Sequence, residues 1–268
     1  MLSMNSCNSG QKSAKTGWTY NNSDLGGYEY ISDFNQETGP GLVLIEGGTY
    51  TMGRITDDIR YDWNNIPRRV TVSSFYMDET EVTNADYREY LYWLKRVFVD
   101  YPQVYMQALP DTLVWRNELA YNEPMVEYYL RHPAYNDYPV VGVSWIQANR
   151  YCEWRTDRVN EMRLISEGIL EEDPNQRGAN NFNTDSYLAG QYEGIVRQNL
   201  PDSDPNSETR HARMEDGYFL PKYRLPTEAE WEFAALGVKA EEEVIENRKM
   251  YPWRGNYTRN DDKRNIDR

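Results

Sequence analysis

Short strands gathered ahead of capped helices, with long proline-broken connections between them, predict a fold that mixes strands with helices. Three observations carry the prediction. From Gly41 the pattern turns regular: Leu42–Ile45 is a short apolar strand, Glu46–Gly48 a turn, and Thr49–Met52 an alternating strand that Gly53 stops, so the stretch reads as a hairpin. A second alternating run, Arg69–Met77, adds another strand. Two helices then carry explicit start signals. Thr83 or Asn84 caps Ala85–Val97, where Tyr87, Tyr90, Leu91 and Leu94 fall on one stripe. Thr227, with Glu230 three residues on, forms a capping box after Pro226. That last helix is expected to turn Ala229, Trp231, Ala234 and Ala235 inward and Glu228 and Glu232 outward.

The remaining stretches are less regular. Residues 1–38 are rich in Ser, Asn, Gly and Asp and read as a tether and irregular segment, with the body proper at 39–268. Residues 100–138 are aromatic but broken by Pro102, Pro110, Pro124 and Pro133, which predicts a structured loop with short helices. Tyr138–Trp145 reads as a strand closed by a Ser144 cap, and Ile146–Arg155 as a helix whose inward stripe holds Ala148, Tyr151, Cys152 and Trp154. Residues 156–222 extend that helix and then become an Asn-, Asp- and Glu-rich inserted loop. The end, after Tyr251–Trp253 and a charged tail, reads as a cut.

Composition bounds the function. With 268 residues, 39% of them hydrophobic and 14% aromatic, the chain can build a sizeable core. Its formal net charge of −14 argues against nucleic acid as a partner, because a phosphate backbone needs neutralising. No apolar run of about 18 residues exists to span a membrane as a helix. Two cysteines and two histidines leave no material for a disulfide framework or a Cys/His metal centre. Cys7, after Leu2–Ser6 and before a polar tether, is similar to the end of a bacterial lipoprotein signal, which makes it the expected lipidation site. Met4 and the short preceding stretch depart from that pattern.

Other candidates weigh out as structural. Asp78, Glu79 and Glu81 could act as a carboxylate pair or a calcium site, but a strand end and helix entry explain them better. Asp57, Asp58 and Asp62 belong to a turn. His132 and His211 are too isolated for a Ser/His/Asp arrangement. Asn260, Asp261 and Asp262 could border a calcium site. Trp18, Tyr28 and Tyr30, ahead of the body, are the expected partner-binding residues, since aromatic rings give large contact area at low entropy cost.

Three segments in order, Leu42–Gly53, Phe75–Tyr90 and Pro139–Trp154 joined to Arg224–Ala235, resemble the formylglycine-generating enzyme domain, or sulfatase-modifying factor domain. Within it, Thr16–Tyr20, Gly39–Gly48, Tyr61–Asn65, Met77–Asn84, Leu109–Trp115, Leu130–Tyr135 and Trp154–Asn160 are most similar to the gliding-motility lipoproteins J of Bacteroidota. The resemblance implies an α+β fold, formylglycine-generating-enzyme-like and C-type-lectin-like, of low regular content. It also implies a lipid-anchored place at the periplasmic face of the outer membrane, beside gliding and type IX secretion proteins.

The enzymes of the family oxidise a substrate cysteine with copper held by two cysteines near the domain's C-terminal end. Cys152 is the only cysteine beyond the tail, on a helix's inward stripe, so a packed thiol is expected and catalysis is not. No cofactor is expected beyond the structural calcium such folds carry. The stretch 156–222, where the enzymes run almost directly on, implies a partner-binding insertion. The readings set against a scaffold are a formylglycine-generating oxidase and a glycan-binding module stacking sugars on Trp63, Trp115 and Trp253.

Overall fold

The computed structural model describes residues 11–236 apart from 23, 25, 26, 33, 36, 54–64, 203 and 205. Four short strands come first: β1 (Leu42–Ile45), β2 (Gly48–Met52), β3 (Arg68–Val72) and β4 (Phe75–Asp78). Helices α1 (Asn84–Val97), α2 (Pro102–Ala108), α3 (Glu123–Tyr128), α4 (Trp145–Ser166) and α5 (Thr184–Leu188) follow. The two-residue strands β5 (Leu200–Pro201) and β6 (Thr209–Arg210) and the helix α6 (Glu228–Leu236) complete the order. These elements form two compact units, one from Met1–Pro40 with Glu81–Arg224, the other from Gly41–Thr80 with Leu225–Arg268.

In the second unit, β1 does not pair with β2. It runs antiparallel to β4, with Leu42 opposite Asp78, while β2 runs antiparallel to β3, with Gly48 opposite Val72. The expected hairpin at 46–48 is therefore a corner, and the expected single strand over Arg69–Met77 breaks at Ser73 and Ser74 to make the matching corner. Gly47 explains both corrections. A Cβ there would lie 2.5 Å from the Ser74 nitrogen and the Val72 carbonyl oxygen, and its own N–H donates to Ser74 Oγ at 2.9 Å. Only glycine lets the two corners nest.

Helix α6 starts as its sequence predicts, with Thr227 and Glu230 capping each other reciprocally. Its inward face is different. Phe233 is buried against Tyr50, with ring centroids 5.3 Å apart, and Ala229 packs with it one turn earlier. Trp231, expected inside, is 62% exposed, and Ala235 is exposed too. A residue midway between i and i+4 points to the opposite side of a helix, so the Ala229–Phe233 pair excludes Trp231. The Tyr50 hydroxyl donates to the Ala229 carbonyl at 2.8 Å, and Glu232, expected outside, accepts the Gly53 N–H at 3.0 Å.

The first unit is built on α1 and α4. Thr83 and Asp86 form a capping box on α1, and Ser144 and Gln147 one on α4, which settles Thr83 as the first cap. The predicted α1 stripe is buried, and Tyr151 of α4 stacks on Tyr87 at 5.7 Å while Trp154 meets Tyr90 at 5.2 Å. The strand expected at 138–145 reduces to one bridge between Thr83 and Pro139. Pro139 has no N–H for a ladder, and Gly142 turns away at φ +82°, where a Cβ would meet the Asp111 carbonyl oxygen at 2.1 Å.

The stretch 156–222, expected as an inserted loop, packs a core of its own. Leu164 from the end of α4 is fully buried among Ile169, Leu170, Phe182, Tyr187 and Phe219. Buried Asn160 ties this core together: its Oδ1 accepts the Leu220 N–H at 2.8 Å and its Nδ2 donates to the Leu220 carbonyl at 3.3 Å. Arg158 and Glu161 pair beside it at 2.8 Å, with Gln176 donating to Glu161. Burial pushes the Glu161 carboxyl up and the Arg158 guanidinium down, as desolvation must for both ions.

Candidate functional site

The resemblance implies two thiolates converging on one ion, and the described residues hold a single cysteine. Cys152 is half-buried on α4, where its carbonyl accepts the Thr156 hydroxyl at 2.8 Å. Among the described residues no group of three or more His, Cys, Asp or Glu side chains could hold a metal. Among the described residues Cys152 is the single thiol, so they hold no pair of soft thiolates of the kind copper(I) takes. Cys7, Asn260, Asp261 and Asp262 lie outside the described residues, as do Asp57, Asp58, Asp62, Trp63 and Trp253.

Several other candidates have local structural employment. His132 Nδ1 accepts the Ala134 N–H at 3.1 Å and caps a short helical turn. The His211 ring lies edge-on to Tyr187 at 5.9 Å. Asp78 ends β4 and Glu79 and Glu81 are exposed at the entry to α1. Trp115, considered for sugar stacking, is half-buried with its ring 4.6 Å from Tyr129, in a cluster with Tyr135 and Tyr138. It is a packed ring.

The three aromatic residues expected to meet a partner do come together. Residues 11–20 fold back on themselves: Lys12 bridges Thr19, the Ser13 N–H donates to the Trp18 carbonyl at 2.8 Å, and the Tyr20 N–H donates to the Gln11 carbonyl at 2.8 Å. Asn21, with φ +53°, then pins the returning chain from both sides. Its Oδ1 accepts the Tyr30 N–H at 2.7 Å and its Nδ2 donates to the Tyr30 carbonyl at 2.9 Å. Asparagine is among the few non-glycine residues that tolerate this backbone region.

The result is an aromatic clasp. Tyr20 lies 4.8 Å from Tyr30 and 6.1 Å from Tyr28, and a shallow groove of about 420 Å³ runs between Ser13, Thr16, Trp18, Thr19 and Tyr28. Trp18 is 68% exposed, Tyr28 65% and Tyr30 40%. The sequence marks the three exposed rings but not Asn21 and Tyr20, which position them. An Asn before a turn-rich stretch is the only signal that could have found the pin.

The clasp is joined to the rest of its unit by a strap rather than a free tether. Arg210, only 9% exposed, pairs with Glu29 and with Asp216 at 2.6 Å. Phe34 covers Gly217, where a Cβ would meet the ring at 2.2 Å. Arg163 pairs with Glu37 at 2.8 Å, and Arg155 donates to the Pro40 carbonyl at 2.8 Å. Burial raises the Asp216 carboxyl, but hydrogen bonds from the Arg210 side chain and the Arg213 N–H outweigh it and hold Asp216 below the usual carboxylate range.

A family model described as the sulfatase-modifying factor enzyme 1-like domain matches residues 28–267. The formylglycine-generating enzyme of Mus musculus is 31% identical over 143 residues, 44% of this chain and 36% of that protein. The inactive C-alpha-formylglycine-generating enzyme 2 of Bos taurus is 31% identical over 137 residues, 44% of each chain. The serine/threonine-protein kinase pkn1 of Chlamydia pneumoniae is 30% identical over 114 residues, 42% of this chain and 16% of that protein. The matched part thus spans less than half the length of these relatives. An active and an inactive relative stand at the same identity, so similarity alone does not decide for chemistry. With the family model covering nearly the whole sequence, the chain belongs to the sulfatase-modifying factor enzyme 1-like domain family.

Proposed function

We propose that the chain is a non-catalytic scaffold of gliding motility and type IX secretion, held at the periplasmic face of the outer membrane by a lipid on Cys7. The observation that carries the non-catalytic part is Cys152: with two cysteines in the sequence and this one alone on α4, a two-thiolate copper site has no partner sulfur among the described residues. The similarity to a relative named as an inactive enzyme supports the same reading. Anchoring is supported by the lipoprotein-like setting of Cys7.

Two surfaces suit a scaffold. One is the exterior of the 156–222 stretch, whose core gives it a fixed shape and which we assign to partner proteins of the secretion and gliding assembly. The other is the clasp with Trp18, Tyr28 and Tyr30. The test is affinity purification of the tagged full-length protein from outer membranes, with mass spectrometry of what co-purifies and of residue Cys7, and a metal assay on the same sample. Secretion-assembly proteins, an acylated Cys7 and no stoichiometric copper are expected. Stoichiometric copper without such partners contradicts the scaffold and supports the oxidase reading, which the similarity to the mouse enzyme favours.

A further inference from the structure

We propose that the clasp over residues 11–34 is a bilayer contact, placing exposed aromatic rings at the membrane–water interface and Lys12 and Lys15 against anionic lipid headgroups. The inference deepens the anchored reading above by naming what this surface touches, and it rests on that reading only for why a membrane is near. Cys7 lies four residues before Gln11, a span of at most about 14 Å, so a lipidated Cys7 would deliver the clasp to the headgroups.

The first argument is the concentration of apolar exposure. Trp18, Tyr28, Tyr30, Ile31 and Phe34 are all exposed within this one short segment. Trp and Tyr are the residues that favour the interface, because each presents an apolar body and a polar edge. The second argument is charge. The chain carries −14 overall, yet residues 11–22 hold Lys12 and Lys15, both exposed, and no acid.

Of the acidic residues further along the segment, Glu29 is paired with buried Arg210, Asp24 is exposed, and Asp33 lies outside the described residues. At about 0.1 M salt the acidity of the remaining surface is screened beyond roughly 10 Å, so at the 11–22 turn itself Lys12 and Lys15 decide the contact. The third argument is rigidity. The Lys12–Thr19 bridge and the Asn21 pin fix the backbone that carries the rings before any contact forms, which lowers the entropy lost on docking. One acyl chain alone gives marginal, reversible binding, and a basic aromatic contact is the kind of second signal that makes it stable.

The test uses the full chain with Cys7→Ser, so that no lipid contributes, in flotation with vesicles of phosphatidylglycerol and phosphatidylethanolamine and with vesicles of phosphatidylcholine. The chain is expected to partition onto the anionic vesicles and more weakly onto phosphatidylcholine. Lys12→Gln with Lys15→Gln should lower the anionic partitioning by about tenfold or more, given roughly 1 kcal/mol per basic residue near the surface. Trp18→Ala should lower it on both vesicle types, with an unchanged melting temperature showing that the fold is intact. No partitioning onto either vesicle, or partitioning that folded Trp18→Ala leaves unchanged, overturns the proposal. Trp18-dependent binding to a soluble glycan or to a secretion protein without vesicle binding overturns it as well and reassigns the clasp. Failure of the anchored reading is separate and would be seen as an unmodified Cys7 in the native protein.

Discussion

Tyr87 and Tyr90 in the α1–α4 core and Tyr28 and Tyr30 in the clasp are the same residue type put to opposite uses. The core rings are almost fully buried, meet Tyr151 and Trp154, and, in the case of Tyr87, donate a hydroxyl hydrogen bond to the Ala108 carbonyl at 2.8 Å. Burial pushes the Tyr90 phenol up to about 12, and Tyr87 further. The clasp rings are held by Asn21, which hydrogen-bonds the backbone of Tyr28 and Tyr30, and by Tyr20 beside them, and they keep much of their surface in water. A ring that stabilises the fold surrenders its surface, whereas a ring held from behind keeps it for contact. Tyrosine content alone therefore says little about binding; what positions each ring decides.

That contrast can be broken by substitution. Tyr87→Ala should cost about 3–5 kcal/mol, the range for deleting a buried aromatic ring, measured by chemical denaturation. Asn160→Ala should cost about 2–3 kcal/mol, because it orphans the buried Leu220 N–H and carbonyl while removing little apolar surface. Asn21→Ala should cost about 1 kcal/mol or less globally, yet loosen the clasp, so amide exchange at Tyr30 should rise while the core is unchanged. Trp18→Ala should change stability by no more than about 0.5 kcal/mol. If Trp18→Ala destabilised as Tyr87→Ala does, the clasp ring would be a core ring and the contrast would fail.

Two carboxylates sharpen the same point through pH. Asp216 is held low, so it contributes stability above the ordinary carboxylate pKa, and this is lost as the pH falls through its own lowered value. Glu161 is held high by burial, so its contribution has the opposite sign: the cost is present above its raised pKa and is relieved as the pH falls. Asp216→Asn should flatten the acid limb of the stability–pH curve. An unchanged limb would mean that the Arg210 latch contributes nothing measurable.

Much of the scaffold was legible in the sequence, for local reasons. The capping box at Thr227, the cap at Ser144 and the stripe on α1 are written in adjacent residues and form as expected, while the structure chooses Thr83 over Asn84 and adds the reciprocal bonds from Asp86 and Gln147. The β1–β4 and β2–β3 pairings were not legible, because they depend on the contact between Gly47 and Ser74, far apart in the chain. The face of α6 was misjudged because Trp231 outweighs Phe233 in hydrophobic size, although Tyr50 and Ala229 select the Phe233 side. In the site, exposed rings could be named from composition. Their arrangement could not, since it rests on Asn21 at positive φ and on Arg210 reaching Glu29 across most of the chain.

The central claim, a family body used for contact rather than cysteine oxidation, is tested most directly by titrating this chain with copper(I) against a competing chelator. A Cys152→Ser variant and a cysteine-containing peptide under oxygen complete the measurement. No stoichiometric copper site that depends on Cys152 and no oxidation of the peptide cysteine are expected. Tight one-to-one copper binding lost in Cys152→Ser, together with oxygen-dependent conversion of the peptide, would contradict that claim.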